Sequence, residues 1–326
     1  MLSVLEVKKR LPKEFVERLY ENYTPLTVDK ILSGMSGERN TTLRVNTLKS
    51  NVQAVMNDLK ENNIKFDRVQ WYGDALVLKN ASEKQVQKLE LYESGSIYLQ
   101  SLSSMVPPLV LGPKANEKIL DLTAAPGSKT TQMAAMMKNN GYILANELDV
   151  LRCERLKYNV EKQEATIVEV NNGRGETIGK QYEGYFDKVL LDAPCSGEGR
   201  FLANDAKTYR SWSEKTVREL AKLQKKLFKS AYQALKPDGE MVYSTCTLNK
   251  EENEDILLWA IQELGIKLLP IKINIKNAET GNLQHLDMDS SEKIGATSVV
   301  EEVKKAIRIL PSKETEGFFV ARIKKA

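Results

Sequence analysis

Ile119-Leu120-Asp121-Leu122-Thr123-Ala124-Ala125-Pro126-Gly127-Ser128-Lys129-Thr130 reads as a buried strand, a turn of small residues and the start of a helix. Ala124, Ala125 and Gly127 let backbone come close to a ligand at the carboxyl end of a strand, which is where open parallel sheets bind. Pro126 stiffens the turn. Glu147, at the end of the next predicted strand, can accept hydrogen bonds from ribose hydroxyls. A phosphate loop is the plain alternative, but Ser128 interrupts its Gly-Lys pair and Leu122 stands where its first glycine belongs. An acid at Asp121 suits a cationic ligand better than a triphosphate.

Outward from this stretch the same grammar repeats. Strands are predicted near 118–122, 142–146, 166–170, 187–192 and 240–245, with helices near 128–138, 149–163, 213–236 and 250–264. Strands separated by helices need crossovers, so the fold class is α/β, a mostly parallel sheet covered on both faces. Residues 306–311 and 317–323 predict a hairpin that adds antiparallel strands at an edge. Residues 275–300, with the lone His285, read as a polar surface insertion. Residues 1–105 differ: helix over 11–23 with Phe15, Leu19 and Tyr20 on its apolar side, strand at 42–46, helix over 51–62, alternation through Val69, Trp71, Ala75 and Val77, and helix over 83–92. The chain is therefore expected to divide into a small α+β N-terminal domain, 1–105, and a catalytic domain, 106–326.

Composition sets the outer bounds. At 41% apolar and 28% charged residues, the 326-residue chain has the make-up of a water-soluble globular protein. A net charge of +4 is weak evidence for nucleic acid, so any such case must rest on local charge. Three cysteines and one histidine make neither a disulfide framework nor a zinc site, and no metal is expected. The N-terminus is charged within ten residues and no apolar stretch approaches a membrane span. The expectations are free thiols, a reducing cytoplasmic location, no membrane and a monomer.

Two of the thiols end apolar runs: Val189-Leu190-Leu191-Asp192-Ala193-Pro194-Cys195-Ser196-Gly197 and Glu240-Met241-Val242-Tyr243-Ser244-Thr245-Cys246-Thr247. Free cysteine usually packs as a small hydrophobe, and Cys153 on its predicted helix is expected to do so. Pro-Cys-Ser-Gly and Ser-Thr-Cys-Thr are instead poor core material and suited to presenting a reactive group. On neighbouring strands, Cys195 and Cys246 would face one pocket.

Taken together, Thr123 to Thr130, Asp192-Ala193-Pro194-Cys195-Ser196-Gly197-Glu198-Gly199 and Tyr243-Ser244-Thr245-Cys246-Thr247-Leu248 resemble the Sun (Nol–Nop–Sun) family of RNA cytosine-C5 methyltransferases, in its bacterial RsmF-like branch. The likeness runs from Leu43-Arg44-Val45-Asn46 to Glu316-Gly317-Phe318-Phe319 and includes Tyr98-Leu99-Gln100, Asn146-Glu147 and Ser211-Trp212-Ser213. It implies a Rossmann-like S-adenosylmethionine-dependent methyltransferase sheet and structured RNA as partner, ribosomal RNA ahead of transfer RNA. Thr123, Ala124, Ala125, Pro126, Gly127, Ser128, Lys129 and Glu147 would hold S-adenosylmethionine. Asp192 would sit between donor and target base, Cys246 would be the nucleophile, and Cys195 would assist product release. Lys129 is a candidate for favouring the Cys246 thiolate. Asn172 stands where the family carries an aspartate beside the donor's adenine. Many RsmF-type proteins also carry a further RNA-binding domain beyond the matching region, so target recognition does not carry over.

The loop after Cys195 holds Arg200, Phe201, Lys207, Tyr209, Arg210 and Trp212, a mixture suited to a single-stranded or flipped base; core packing is the competing reading, preferred for Trp212. Arg218, Lys222, Lys225 and Lys229 form a basic stripe best read as a solvated helix face. Three alternatives stand beside the methyltransferase. A DNA cytosine methyltransferase lacks its Glu-Asn-Val motif here, a nucleotide hydrolase lacks its phosphate loop, and a non-catalytic RNA-binding assembly factor would keep the fold without the chemistry.

Overall fold

The computed structural model describes residues 2–281 and 299–325. Its N-terminal part comprises helices α1 (Val4–Arg10), α2 (Lys13–Asn22) and α3 (Pro25–Gly34), then β1 (Thr42–Val45), α4 (Val52–Glu61), β2 (Phe66–Arg68), β3 (Ala75–Leu78), α5 (Glu83–Val86), α6 (Glu90–Glu93) and β4 (Ile97–Leu99). The strands form an antiparallel sheet in the order β2-β3-β1-β4. Local signals start the helices: the Ser3/Glu6 capping box for α1, Thr24 followed by Pro25 for α3, and Asn51 accepting from the Ala54 amide for α4. On α2, Phe15 and Leu19 are buried as expected, but Tyr20 is 39% exposed and its ring lies under the Lys8 ammonium. The alternation through 69–77 is not one strand: a turn that includes Trp71 separates β2 from β3. The helix expected over 83–92 is two single turns.

The larger unit continues with α7 (Leu102–Leu111), β5 (Lys118–Asp121), α8 (Ser128–Met136), β6 (Tyr142–Glu147), α9 (Val150–Lys162), β7 (Val168–Asn172), α10 (Gly175–Gln181) and β8 (Phe186–Asp192). After it come α11 (Glu214–Ala234), β9 (Leu235–Thr245), α12 (Glu254–Leu264), β10 (Lys267–Leu269), β11 (Ala278–Thr280), β12 (Ile307–Ile309) and β13 (Phe318–Lys324). The main path of the sheet runs β11-β12-β13-β9-β8-β5-β6-β7, with β10 also on β13. Strands β9, β8, β5, β6 and β7 are parallel to one another, β13 pairs antiparallel with β9, and β13 and β12 form the expected antiparallel hairpin at the other side. β11 falls within the stretch read as an insertion, pairing with β12; residues 282–298, His285 included, lie outside the described residues. α7 spans the expected division between 105 and 106.

The sheet's alternation sorts its core into two faces. Leu120, Leu144, Val189, Leu191, Met241, Tyr243, Phe319 and Ala321 point to α11 and α12; Ile119, Ile143, Leu190, Val242, Phe318 and Val320 point to α7, α8 and α9. The chain runs outward from β5 through β6 to β7, then returns to β8 on the other side of β5. The order reverses between β5 and β8, and there the carboxyl ends open a crevice. A third core, Phe15, Leu19, Val28, Ile31 and Met35, packs α1–α3 onto Phe201, Leu248 and Leu310 of the larger unit.

Candidate active site

The crevice is a cavity of about 850 Å³. Of the residues expected to act or to hold a donor, Thr123, Ala125, Pro126, Ser128, Lys129, Glu147, Asp192, Cys195 and Cys246 line it. Ala124 and Gly127 shape its floor without lining it. Gly127 caps α8 at φ +105°, a left-handed conformation that favours glycine, and a Cβ there would stand 2.9 Å from Leu156 Cδ1, which would have to shift. Asn172 does not line the cavity. Its amide donates to the carbonyls of Glu147 (2.7 Å) and Leu148 (3.0 Å), tying the ends of β6 and β7 together.

The donor half is built from β5, β6 and the turn before α8. Thr123 Oγ1 donates to the Asp192 carbonyl at 2.9 Å, and the Ala124 amide to the Asn146 carbonyl at 2.8 Å. Asp121 is fully enclosed: one oxygen accepts from Thr130 Oγ1 at 2.7 Å and the other has no partner among the described residues. Burial pushes its pKa up to about 7. Glu147 accepts from the Asp149 amide at 3.0 Å and faces Arg152 at 3.5 Å, whose other nitrogen donates to the Ala125 carbonyl. Leu148, Pro194, Leu220 and Leu223 add apolar wall. Carboxylates at one end, apolar wall beside them and close backbone at the turn fit the ribose, adenine and sulfonium of S-adenosylmethionine.

The acceptor half is built from β8 and β9, paired in parallel with Asp192 beside Ser244. Asp192 is gripped from both sides: Oδ2 by Lys129 Nζ at 2.6 Å, Oδ1 by Ser244 Oγ at 2.7 Å. Lys129 also donates to Ser104 Oγ at 2.8 Å. Burial works against the Lys129 charge, but Asp192 outweighs it and holds the pKa up. Cys195 and Cys246 come together, Sγ to Sγ at 3.3 Å. The hydrogen bond with Cys246, with burial, pushes the Cys195 thiol well up, which keeps it protonated; either sulfur can be the donor in that contact. Cys153 is 1% exposed in the core, as expected.

Residues not singled out from sequence hold the thiol loops. Glu252, just before α12, accepts from the Ser196 amide at 2.9 Å, the Ser196 hydroxyl and Gln224 at 2.9 Å. Burial raises its pKa to about 7. Glu198 accepts from Asn249 and Trp212, each at 3.0 Å. Trp212 and Phe201 stack edge-on against Phe15, so both are packing residues and Phe201 is unavailable to a base. Lys207 and Arg210 remain exposed. Ser244 and Glu198 lay inside quoted motifs and Trp212 was read as a packing residue; Ser104 and Glu252 are brought in by tertiary structure. Among the described residues no cluster of metal-ligating side chains occurs, and no helix is long and apolar enough to cross a membrane.

Residues 108–324 match a family model described as 16S rRNA methyltransferase RsmB/F, and residues 11–85 one described as a Methyltr_RsmF/B-like, ferredoxin-like domain. The tRNA (cytosine(49)-C(5))-methyltransferase of Pyrococcus abyssi is 36% identical, over 96% of this chain and 97% of that protein. Ribosomal RNA small subunit methyltransferase F of Vibrio vulnificus is also 36% identical, over 97% of this chain; the chain spans 64% of that protein's length. A methyltransferase homolog protein from Pyrococcus horikoshii superposes with a TM-score of 0.82 at 32% identity, covering 100% of both chains.

Proposed function

Because the chain belongs to the 16S rRNA methyltransferase RsmB/F family, we propose that it transfers a methyl group from S-adenosylmethionine to carbon 5 of a cytosine in RNA, through a transient bond to Cys246. The observation that carries this reading is the meeting of Cys246 and Cys195 at 3.3 Å in the cavity that also holds Asp192 and Glu147.

Carbon 5 of cytosine is a poor nucleophile. Addition of the Cys246 thiolate to carbon 6 moves the electron pair of the 5,6 double bond onto carbon 5, which then takes the methyl group. S-adenosylmethionine, when bound, supplies that methyl as an electrophile and departs as a neutral thioether. A proton shared between ring nitrogen 3 and Asp192, which Lys129 and Ser244 fix in place, stabilises the adduct. Loss of the carbon-5 proton to a base or water, with return of the carbon 6–sulfur pair to Cys246, restores the ring; Cys195 assists this release. Thr123 to Ser128 and Glu147 hold the donor. The base must leave its stack to reach Cys246.

Ribosomal RNA is the substrate of first choice, from the family. Transfer RNA is the second reading, favoured by the match along nearly the whole of the Pyrococcus abyssi enzyme. The N-terminal module, residues 1–105, serves as an RNA-binding auxiliary unit, and the protein acts as a cytoplasmic monomer. Tritium transfer from labelled donor to unmodified small-subunit RNA and to tRNA transcripts, with bisulfite sequencing, tests the activity and separates the substrates. Cys246→Ala is expected to lose transfer, and Cys195→Ala to accumulate a protein–RNA adduct on denaturing gels. Full transfer by Cys246→Ala would remove the mechanism; light scattering during gel filtration checks the monomer.

A further inference from the structure

We infer that Arg200 is the cation that stabilises the Cys246 thiolate, which makes it a further catalytic residue; this rests on Cys246 being the nucleophile. Lys129, the candidate from sequence, has its ammonium engaged by Asp192 at 2.6 Å and Ser104 at 2.8 Å. Arg200 lines the same cavity as both thiols, and its own backbone is fixed beside Cys246. The Gly199 amide donates to the Cys246 carbonyl at 3.0 Å, and the Gly317 amide to the Gly199 carbonyl at 2.9 Å. Gly199 and Gly317 press so closely that a Cβ on Gly199 would stand 2.0 Å from the Gly317 oxygen. Arg39, from the segment after α3, clamps the same turn by donating to the Gly199 carbonyl at 3.1 Å and the Thr315 carbonyl at 3.2 Å. The position of Arg200 is thus built from three separate chain segments.

The charges around Cys246 agree. Cys246 bears on Lys129 from α8, and on Cys195 and Arg200 of the loop after β8; Asp192 and Glu252 bear on Cys195, and Glu316, from the segment before β13, bears on Arg200. Cys246 is the largest influence raising the Arg200 pKa, ahead of Glu316 and Cys195. A guanidinium is never a base, so Arg200 cannot take the thiol proton, which leaves to water. Its part is electrostatic: it favours the charged sulfur before addition and again as the sulfur is expelled.

The test is alkylation of each cysteine by iodoacetamide, resolved by peptide mass spectrometry, in the intact chain without RNA or donor. Arg200→Gln is expected to slow labelling of Cys246 about tenfold near pH 7, a gap that closes by about pH 9.5 where thiols ionise unaided. Arg200→Lys is expected to keep most of the rate, and buried Cys153 to stay unlabelled, showing the fold intact. Labelling of Arg200→Gln at the wild-type rate near pH 7, an equal loss at both pH values, or Arg200→Lys as slow as Arg200→Gln would overturn the assignment. Methyl transfer by Cys246→Ala, measured separately, would instead overturn the function on which it rests.

Discussion

Asp192 is the residue on which donor and acceptor halves meet, and its orientation depends on Lys129. Lys129→Met leaves a carboxylate with Ser244 as its remaining side-chain partner and a buried gap where the ammonium stood. A loss of roughly 10²–10³-fold in kcat, with little change in KM for the donor, is expected from removing such a preorganised group; single-turnover assays at saturating donor measure it. Glu252 and Asp121 make a second prediction. Burial raises both to about 7, so between the ordinary carboxylate range and that point the folded chain holds protons the unfolded chain has released. Stability must fall as pH rises through that window. Glu252→Gln should therefore gain Tm relative to the parent from about pH 5 to about pH 7 in scanning fluorimetry; a constant gap would remove the assignment. The two thiols and Asp192 were readable because each ends an apolar run in a turn of small residues. Arg200 was noticed only as an RNA contact, since the turn that carries it is set beside Cys246 by a glycine–glycine approach between distant segments.

At the scale of elements, strands buried on both faces announce themselves, and β5, β6, β8, β9 and the β12–β13 hairpin were legible within a few residues. α7 was not, because Pro107 and Pro108 lie inside it and proline ordinarily ends a helix; here packing beneath the sheet holds the segment helical. The stretch 250–253 was read as helix but is a turn. Glu252 spends its side chain on the Pro-Cys loop, and α12 starts at Glu254. Glu254 in turn binds Arg308 of β12, both fully enclosed. Burial opposes the Arg308 charge, and Glu254 overcomes it. Breaking this pair with Arg308→Met should cost about 3–5 kcal/mol in urea denaturation, and adding Glu254→Leu should return part of it, because a buried carboxylate that has lost its guanidinium is what destabilises.

Across the whole molecule, the N-terminal segment is bound into the catalytic unit. Arg44, on β1 of the small sheet and completely buried, donates to Thr131 of α8 at 3.0 Å, and Tyr23 at the end of α2 donates to the Leu248 carbonyl just past Cys246. Phe15 of α2 supports Phe201 and Trp212 on the loop that carries Arg200. Phe15→Ala is expected to cost about 3–5 kcal/mol and to lower methyl transfer even at temperatures where the chain stays folded; unchanged activity in the folded range would separate the helices from the chemistry. None of these long-range contacts follows from a periodicity, which reports each element's own buried face and not its partner. The closeness of Cys195 and Cys246 has a further consequence. Two sulfurs 3.3 Å apart in the turns just past β8 and β9 are one two-electron oxidation away from a covalent bond. One equivalent of hydrogen peroxide, leaving as two waters, would join them and take both thiols proposed to act out of use. Dithiothreitol should restore full turnover, so the enzyme's working state is tied to the reducing power of its surroundings.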